Sequence, residues 1–466
     1  MEIEVNLTGS SYTTRSLPLS AQVTRNFYPE IQQNPSTRSP AALHSWPGLK
    51  LFGSATGADR GMYNHNGTLY RVVGNTLYSV NSAGTHTSLG TIAGTGRCVL
   101  AGIGTSLVVV ASGTVYEYDG SLTQITDSDL ESPDSCAHLN NQMIYDGDGS
   151  RFCSSDVGDA AIIDGLNYAA AESDADDLKR VYSFNQLIFL FGERTTETWY
   201  NSGVGSPPFD RIEGGIIPVG IGGIYSPSHN DNYIYWLADD GRIYRTTGQT
   251  SEAVSTIAIS NAIEGYDTIT DAVGNCLTFE GQNFYLLTFP TEDKTWCFAE
   301  QSNQWFEVSS GVDGGQYRGS SIVYCYRKNL VADATTGDLY ELDINTYDDN
   351  GDAFIRARDT GPFHSGMIGM PGKRVEFNRF ELVMETGVGL LSGQGSEPKV
   401  MLQISDDGGR TWSTEIWADV GAIGEYLWKI EWYALGSAFN RIFRIKISDP
   451  VPITIMSAMI DVEVGI

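Results

Sequence analysis

A hairpin-sized unit repeats along the chain from about residue 60, and it constrains the fold more than any other feature of the sequence. The unit is an apolar strand, a glycine-containing turn and a second strand with tyrosine near its middle. Two clear copies are GTLYRVVGNTLYSVNSAG from Gly67 and TSLVVVASGTVYEYDG from Thr105. Weaker copies begin at Asn141, Asn185, Asp231, Gly281 and Lys328. Apolar and polar residues alternate at period two in each copy, which predicts a β-hairpin.

One hairpin cannot bury its own apolar faces, whereas four-stranded sheets packed radially around an axis bury them without leaving long exposed edges. The copies recur roughly every 35 to 50 residues, which is the range of propeller blades. We therefore expect an all-β protein in which residues 51–345 form a β-propeller of about seven hairpin-based blades, within a range of six to eight. A pair of β-sandwiches or a barrel of similar strands is the alternative.

The two ends of the chain differ from this repeat. Residues 1–50 are polar and rich in proline, which bars a long helix and a central strand. We predict an extended arm there, with possible assembly contacts at Phe27, Tyr28, Pro29 and Trp46. Residues 346–466 contain longer apolar strand patterns and predict a C-terminal β domain.

Composition excludes several classes of protein. The net charge is -28, so a general basic surface for binding nucleic acid is excluded, although an acidic wall would let DNA slide past without adhering. A purely solubilising role of the acidic surface is the alternative reading. No apolar run reaches the length of a membrane span. The six cysteines form no C-x-x-C pair and are expected to be free thiols in core strands rather than zinc ligands or disulfides.

The stretch SDDGGRTWS from Ser405 resembles the Asp-box of sialidases and other β-propeller proteins. Each of its residues has a structural role, since the aspartate caps backbone N–H groups, the glycine takes a conformation that other residues resist, and the tryptophan packs on the hairpin. We therefore predict a structural Asp-box formed by Ser405, Asp407, Gly409, Thr411 and Trp412, and no catalytic role for it.

No catalytic, cofactor-binding or metal-binding set is predicted. The six histidines follow no metal-ligand or triad spacing, and no glycine-rich nucleotide motif is present. A sialidase would also need an arginine cluster and an Arg-Ile-Pro start, whereas the chain has Arg211 and Ile212 followed by Glu213. We expect a non-enzymatic protein without cofactors, and a glycan-binding or glycan-cleaving propeller of the sialidase type is the alternative.

Both ends of the chain resemble the packaged-DNA stabilisation proteins of short-tailed phages, which are the tail hub or nozzle proteins of podoviruses. The resemblance rests on NFYPE at Asn26 to Glu30, PGL at Pro47 to Leu49, RG at Arg60 and the LYRVVGNTLYSV hairpin from Leu69. The last strands, WYALGSAFNRIFRIKISDPVPITIMSAMIDVEV from Trp432, resemble the end of the same family.

This resemblance implies a virion structural protein of the phage tail that is assembled in the host cytoplasm. It implies a homo-oligomer, a hexameric ring below the portal and its adaptor (the head-to-tail connector). It also implies docking of tailspikes or tail fibres and of a needle or plug. DNA would pass through the lumen at ejection without sequence-specific binding, and packaged DNA would be retained before that.

Overall fold

The computed structural model describes residues 1–34 and 39–464, and most of its regular structure is β-strand. Short strands occupy the N-terminal part of the chain. They are β1 (Glu2–Val5), β2 (Tyr12–Thr13), β3 (Ala21–Gln22), β4 (Thr24–Arg25), β5 (Phe27–Ile31), β6 (Ala41–Ser45) and β7 (Gly48–Ser54).

Groups of four antiparallel strands then follow one another along the chain. The first three groups are β8 (Asp59–His65), β9 (Thr68–Val73), β10 (Thr76–Val80) and β11 (His86–Thr91); β12 (Cys98–Ile103), β13 (Ser106–Ala111), β14 (Thr114–Tyr118) and β15 (Leu122–Gln124); and β16 (Cys136–Leu139), β17 (Gln142–Asp146), β18 (Arg151–Ser155) and β19 (Ile163–Ala170). The next two are β20 (Leu178–Phe184), β21 (Leu187–Gly192), β22 (Thr196–Asn201) and β23 (Phe209–Ile217); and β24 (Ser228–His229), β25 (Ile234–Leu237), β26 (Ile243–Thr246) and β27 (Ser251–Ala253). A short helix, α1 (Ile257–Glu264), precedes the last groups, which are β28 (Val273–Phe279), β29 (Gln282–Phe289), β30 (Lys294–Ala299) and β31 (Gln304–Glu307), and then β32 (Gly319–Cys325), β33 (Lys328–Asp333) and β34 (Asp338–Asp343).

These groups form the β-propeller that the repeat predicts. Six of them are separate four-stranded sheets in the described part of the chain, and the last of the six is completed by β7, which pairs with β34. The group β28–β31 also has four strands, but it is continued into a ten-stranded sheet. Separate blade sheets therefore number six, not about seven, because one group of four strands is merged with strands of the C-terminal domain.

The repeated sequence unit corresponds to the second and third strands of each group. In the first group, Asn66 and Gly67 form the tight turn before the second strand, β9. Both residues have positive φ, at 50° and 78°. Asparagine and glycine tolerate this left-handed conformation, and two-residue turns of this kind match the twist of antiparallel strands. All six cysteines lie in strands of the propeller and are unpaired, as expected.

The C-terminal part of the chain completes a β-sandwich. Its elements are β35 (Arg356–Asp359), β36 (Phe363–His364), a 3-10 turn (Ser365–Ile368), β37 (Val375–Met384), β38 (Lys399–Ser405), β39 (Ile416–Asp419), β40 (Ile430–Tyr433), β41 (Ser437–Ala438), β42 (Asn440–Ile447) and β43 (Thr454–Val464). One sheet has the order β40-β37-β43-β6-β5, in which β1 also pairs with β43 and β41 with β37, and the other runs β4-β35-β42-β38-β39. Apolar side chains of both sheets, such as Phe380 and Phe443, form one core.

The N-terminal segment, predicted as an extended arm, lies within this sandwich. Strand β1 pairs with β43 from Glu2 to Val5, and the hairpin β5–β6 adds two more strands to the same sheet. Leu7, Phe27 and Leu43 are fully buried in the sandwich core. Pro29 favoured the arm prediction, but it lies in β5 at the edge of the sheet, where a missing N–H group is tolerated. Residues 35–38 of the predicted arm lie outside the described residues.

The two domains are joined by backbone pairing at β4. Arg25 pairs in parallel with Glu307 of the propeller and antiparallel with Ala357 of the sandwich, so one sheet runs through both domains. The Arg25 guanidinium also bonds to the Glu307 carboxylate at 2.7 Å. The next residue, Asn26, is fully buried, and its side chain donates to the Ser309 carbonyl at 3.0 Å and to the Ile355 carbonyl at 2.8 Å.

Asn26 also accepts a hydrogen bond from the Ser309 backbone N–H at 2.8 Å, and its φ is 55°. The side chain thus connects the end of the propeller to the first strand of the sandwich. Only a few residue types tolerate the left-handed backbone, and only an amide can donate and accept these bonds.

Buried Asp349 lies at the same boundary, beside β7. One carboxylate oxygen, Oδ2, has no hydrogen-bond partner among the described residues, and the side chain is 3% exposed. Burial raises the pKa of the Asp349 carboxyl to about 6, and this shift is opposed by the Ser310 hydroxyl and by the charges of Arg318 and Arg356. At any given pH the folded protein therefore holds a larger fraction of this group in the neutral form than the unfolded chain does.

We expect Asn26→Ala to lower the free energy of unfolding by about 3–4 kcal/mol, because it leaves buried backbone groups of Ser309 and Ile355 without partners and forces alanine to positive φ. The matched control is Asn66→Ala, which has a similar φ in an exposed turn and should cost only about 1 kcal/mol. Urea unfolding followed by circular dichroism measures both. Equal losses in the two variants would contradict the role of Asn26 at the junction.

A second expectation concerns pH. Because the folded-state pKa of Asp349 is above the unfolded value of 3.8, its contribution to stability is present below that value and is lost as pH rises through about 6. Asp349→Asn mimics the neutral form, so it should match the unsubstituted protein near pH 4 and exceed it at about pH 8, by on the order of 2 kcal/mol. Asp313→Asn, an exposed carboxylate, is the control. A difference that does not depend on pH would refute this account.

Candidate assembly face

The residues predicted as assembly contacts are packed inside the chain. Phe27 lies in the sandwich core, and Pro29 is buried beside it in β5. Tyr28 and Trp46 belong to an aromatic cluster with Phe279 and other propeller residues, in which Tyr28 and Trp46 meet Phe279 edge-on at 5.2 and 5.4 Å. Their apolar character reflects the docking of the two domains, and their side chains are not accessible to a partner.

An exposed apolar face lies elsewhere, on the sandwich. It consists of β39, β40 and the loop 420–429 between them, and we call it the aromatic face. Leu427 is 96% exposed and Tyr426 is 70% exposed. The other large exposed side chains of the aromatic face are Trp417, Ile423, Trp428 and Tyr433. The register places Trp417 and Tyr433 on the outer sides of the two different sheets, so the exposed apolar side chains are concentrated in the loop 420–429 between them. Exposed apolar side chains that are clustered in this way often mark a site of interaction with another protein.

Hydrogen bonds hold the loop in a defined shape, so the exposure of these side chains does not come from a loose segment. The Trp428 indole donates to the Asp419 carbonyl at 2.8 Å, and the Glu425 carboxylate accepts from the Ala422 N–H at 2.8 Å. Thr386 of the neighbouring loop donates its hydroxyl to the Tyr426 carbonyl at 3.0 Å. These three hydrogen bonds restrain the loop while the side chains from Ile423 to Lys429 remain exposed.

Sequence reasoning missed the aromatic face. For the run GEYLWKIEWY from Gly424 to Tyr433, the apolar pattern predicts only part of a C-terminal strand. In the structure Leu427 lies in the loop, and β40 begins at Ile430. Three consecutive large apolar residues after a glycine-rich stretch were an available signal, because a loop normally exposes the side chains it carries.

The Asp-box closes the turn that follows β38. The Asp407 carboxylate accepts from the backbone N–H groups of Arg410 and Thr411, each at 2.9 Å, and from the Thr411 hydroxyl at 2.6 Å. Ser405 donates its hydroxyl to Asp407 at 2.8 Å and accepts from the Gly409 N–H at 2.8 Å. Gly409 has a φ of 90°, which a side chain would resist.

The charged side chains in and around the Asp-box interact with groups of the same hairpin and of neighbouring strands. The Thr411 hydroxyl and backbone, followed by Ser405, hold the pKa of the Asp407 carboxyl far below its usual value. The Arg444 guanidinium stacks 3.7 Å above the Trp412 ring, and Arg441 forms a two-pronged ion pair with Asp406. These contacts support a structural Asp-box, which stays a prediction until tested.

Two other observations bear on chemistry and location. No group of three or more histidine, cysteine, aspartate or glutamate side chains in the described ranges is arranged to hold a metal ion. Across residues 1–34 and 39–464, no helix is long and apolar enough to cross a membrane.

Two family models match the chain. The model described as bacteriophage P22 Gp10, beta-propeller, matches residues 1–347, and the model described as bacteriophage P22 Gp10, beta-sandwich, matches residues 362–463. The first match includes the N-terminal segment that contributes strands to the sandwich. No curated protein matches the chain.

Solved structures similar to part of the chain are propeller-sized. The computationally designed Ika8 protein is 12% identical, with a TM-score of 0.39, and the match covers 67% of this chain and 96% of that one. YCF48 bound to D1 peptide is 12% identical, with a TM-score of 0.41 and coverage of 64% and 97%. The Neurospora crassa Pan2 WD40 domain is 8% identical, with a TM-score of 0.41 and coverage of 64% and 96%.

Asp407→Ala should lower the thermal midpoint of unfolding by a few degrees, because four hydrogen bonds of the turn lose their acceptor. Asp407→Asn retains an acceptor oxygen for the Arg410 and Thr411 N–H groups and should lose less. Thr414→Ala, an exposed neighbour, is the control. Calorimetry measures the midpoints, and a labelled sialoside measures hydrolysis. Glycan hydrolysis that Asp407→Ala abolishes at unchanged stability would revive the enzymatic alternative.

Proposed function

The chain belongs to the family of bacteriophage P22 Gp10, the tail hub and DNA-stabilisation protein of podoviruses, and we propose that it extends the DNA channel below the portal and its adaptor. Membership places it among virion tail components, in a structural family and not in an enzyme family. The match of both domains along the chain is the observation that carries this proposal.

We propose further that the protein forms a hexameric ring after its synthesis in the host cytoplasm. Such a ring would retain packaged DNA, hold a needle or plug at its far end and dock tailspikes or fibres at its side. The net charge of -28 supports a channel role, because an acidic wall repels the phosphates of DNA and prevents adhesion during ejection.

The aromatic face is the surface that we assign to the adaptor contact. Phe27, Tyr28, Pro29 and Trp46, the residues of the N-terminal segment predicted as assembly contacts, are buried within the chain, so we propose that the contact lies elsewhere. The centres of protein interfaces are enriched in tryptophan and tyrosine, as this face is. Leu427 lies at the most exposed point of the face.

The glycan-cleaving alternative is not favoured. Every polar atom of the Asp407 carboxylate is engaged by its own turn, so the motif that suggested a sialidase serves the hairpin. A glycosidase also needs two carboxylates that face one sugar, and the family match points to no such pair.

We expect Leu427→Asp to weaken binding of the hub to the portal adaptor at least about tenfold, because an unpaired carboxylate would be buried in the interface. Leu166→Asp is the matched control, since Leu166 is 76% exposed on the propeller. Binding is measured by sedimentation with purified adaptor, and DNA retention is measured in particles that carry each variant.

The outcomes separate the possible roles of the face. Weak adaptor binding, DNA leakage and an intact hub ring in electron micrographs support the proposal. Loss of the ring itself would assign the face to contacts between hub copies. Normal attachment and normal DNA retention in Leu427→Asp would refute any assembly role for this face.

A further inference from the structure

The axis of the propeller contains a cavity whose chemistry differs from that of the rest of the protein. Residues from the inner strands β8, β12, β16, β20, β24, β28 and β32 line it, and its volume is about 290 Å³. At one end it shares His138, Ser183 and His229 with a wider opening of about 570 Å³, which gives a route from solvent. The cavity is therefore accessible to a small solute.

No carboxylate lines this cavity within the described residues, although the chain has 57 aspartate and glutamate residues. The charged side chains that line it are Arg97 and Arg180, and His138 and His229 add two imidazoles. Burial lowers the pKa of both histidines, so the positive charge of the cavity comes from the two half-buried arginines. A counter-charge is favoured there, because partial burial of an unpaired guanidinium costs free energy.

Arg180 lacks hydrogen-bond partners at one of its buried atoms. Its Nε atom is buried without a hydrogen-bond partner among the residues that the structure describes. Its guanidinium lies 5.8 Å from the centre of the Tyr225 ring. A cation–π contact of this kind replaces only part of the hydration that a guanidinium loses on burial.

Arg97 faces the same tyrosine ring at 5.7 Å. It donates to the Ser321 hydroxyl at 3.0 Å and to the Ser320 carbonyl at 3.3 Å, both of which are neutral acceptors. Burial lowers the pKa values of both Arg97 and Arg180, the direction expected for cations that lack a full counter-charge.

Nearby carboxylates are engaged elsewhere. Asp59 accepts from the hydroxyl groups of Ser320 and Ser321 at 2.7 Å and forms an ion pair with Arg71 at 3.4 Å. Asp146 accepts from the Ser135 N–H and hydroxyl at 2.7 and 3.0 Å. Asp59 raises the pKa of Arg97 and Asp146 raises that of Arg180 through their charges, but neither carboxylate is hydrogen-bonded to either guanidinium. Both arginines therefore lack a carboxylate in direct contact.

We propose that Arg97 and Arg180 form a binding site for one phosphate-class oxyanion in the axial cavity of the propeller. The planar fork of a guanidinium matches the oxygens of a phosphoryl group, and charge-assisted hydrogen bonds are about twice as strong as neutral ones. The free anion or the phosphoryl group of a small metabolite has this chemistry. The site is independent of the hub function, because it lies on the axis of one propeller and not on the aromatic face.

Titration calorimetry of the full-length protein with inorganic phosphate tests the site. The unsubstituted protein should bind one equivalent, and Arg180→Met and Arg97→Met should each weaken binding at least about tenfold. Arg242→Met removes an exposed cation paired with Asp240 and is the matched control. A nucleoside monophosphate in place of phosphate distinguishes the two sources, since tighter binding of the ester assigns the site to a metabolite.

Thermal unfolding provides a readout that a merely structural arginine would not give. Phosphate should raise the midpoint of the unsubstituted protein through its selective binding to the folded state and should leave Arg180→Met unchanged. Without phosphate, Arg180→Met should be at least as stable as the unsubstituted protein, because the Nε group that is buried without a hydrogen-bond partner has been removed. No saturable binding of phosphate, or equal binding by Arg180→Met and the unsubstituted protein, would overturn the proposal.

Discussion

The backbone pairing of Thr24–Arg25 is the contact on which the arrangement of the whole molecule depends. This two-residue strand is hydrogen-bonded to the outer strand of a propeller blade on one side and to the sandwich on the other. A hydrogen-bonded sheet restrains the relative position of two domains more tightly than side-chain contacts alone. Asn26 and the aromatic cluster around Trp46 then fill the space beside it.

The propeller is also closed by backbone pairing between strands that are far apart in the sequence. Strand β7 comes directly after the sandwich strand β6 and completes the blade that begins with β32, so the start of the chain closes the ring. The N-terminal amino group meets the last strand through Asp461 at 2.8 Å. Both domains therefore depend on contacts between residues far apart in sequence, and such topologies fold slowly because loop closure precedes their stabilising contacts.

Charge is distributed unevenly between the surface and the interior. The net charge of -28 belongs mostly to exposed carboxylates, whereas many arginines are buried and hydrogen-bonded to neutral groups. Arg356 donates to the carbonyl groups of Asp449 and Tyr347 at the domain boundary, and its burial lowers its pKa to about 10. Guanidinium groups suit this use, since they remain charged while bonding several carbonyls at once.

The sequence by itself determined the all-β class, the propeller, the position of its hairpins and the turn of the Asp-box. These are local properties, because period-two alternation, Asn66–Gly67 turns and the Ser405–Trp412 spacing act within a few residues of each other. Only the tertiary structure decided that β1, β5 and β6 belong to the sandwich and β7 to the propeller, because β1 and β6 pair with β43, more than 400 positions away, and β7 pairs with β34. The merging of one blade with the sandwich, the exposure of Leu427 and the approach of Arg97 and Arg180 to the Tyr225 ring likewise arise from packing between distant segments, which no local pattern encodes.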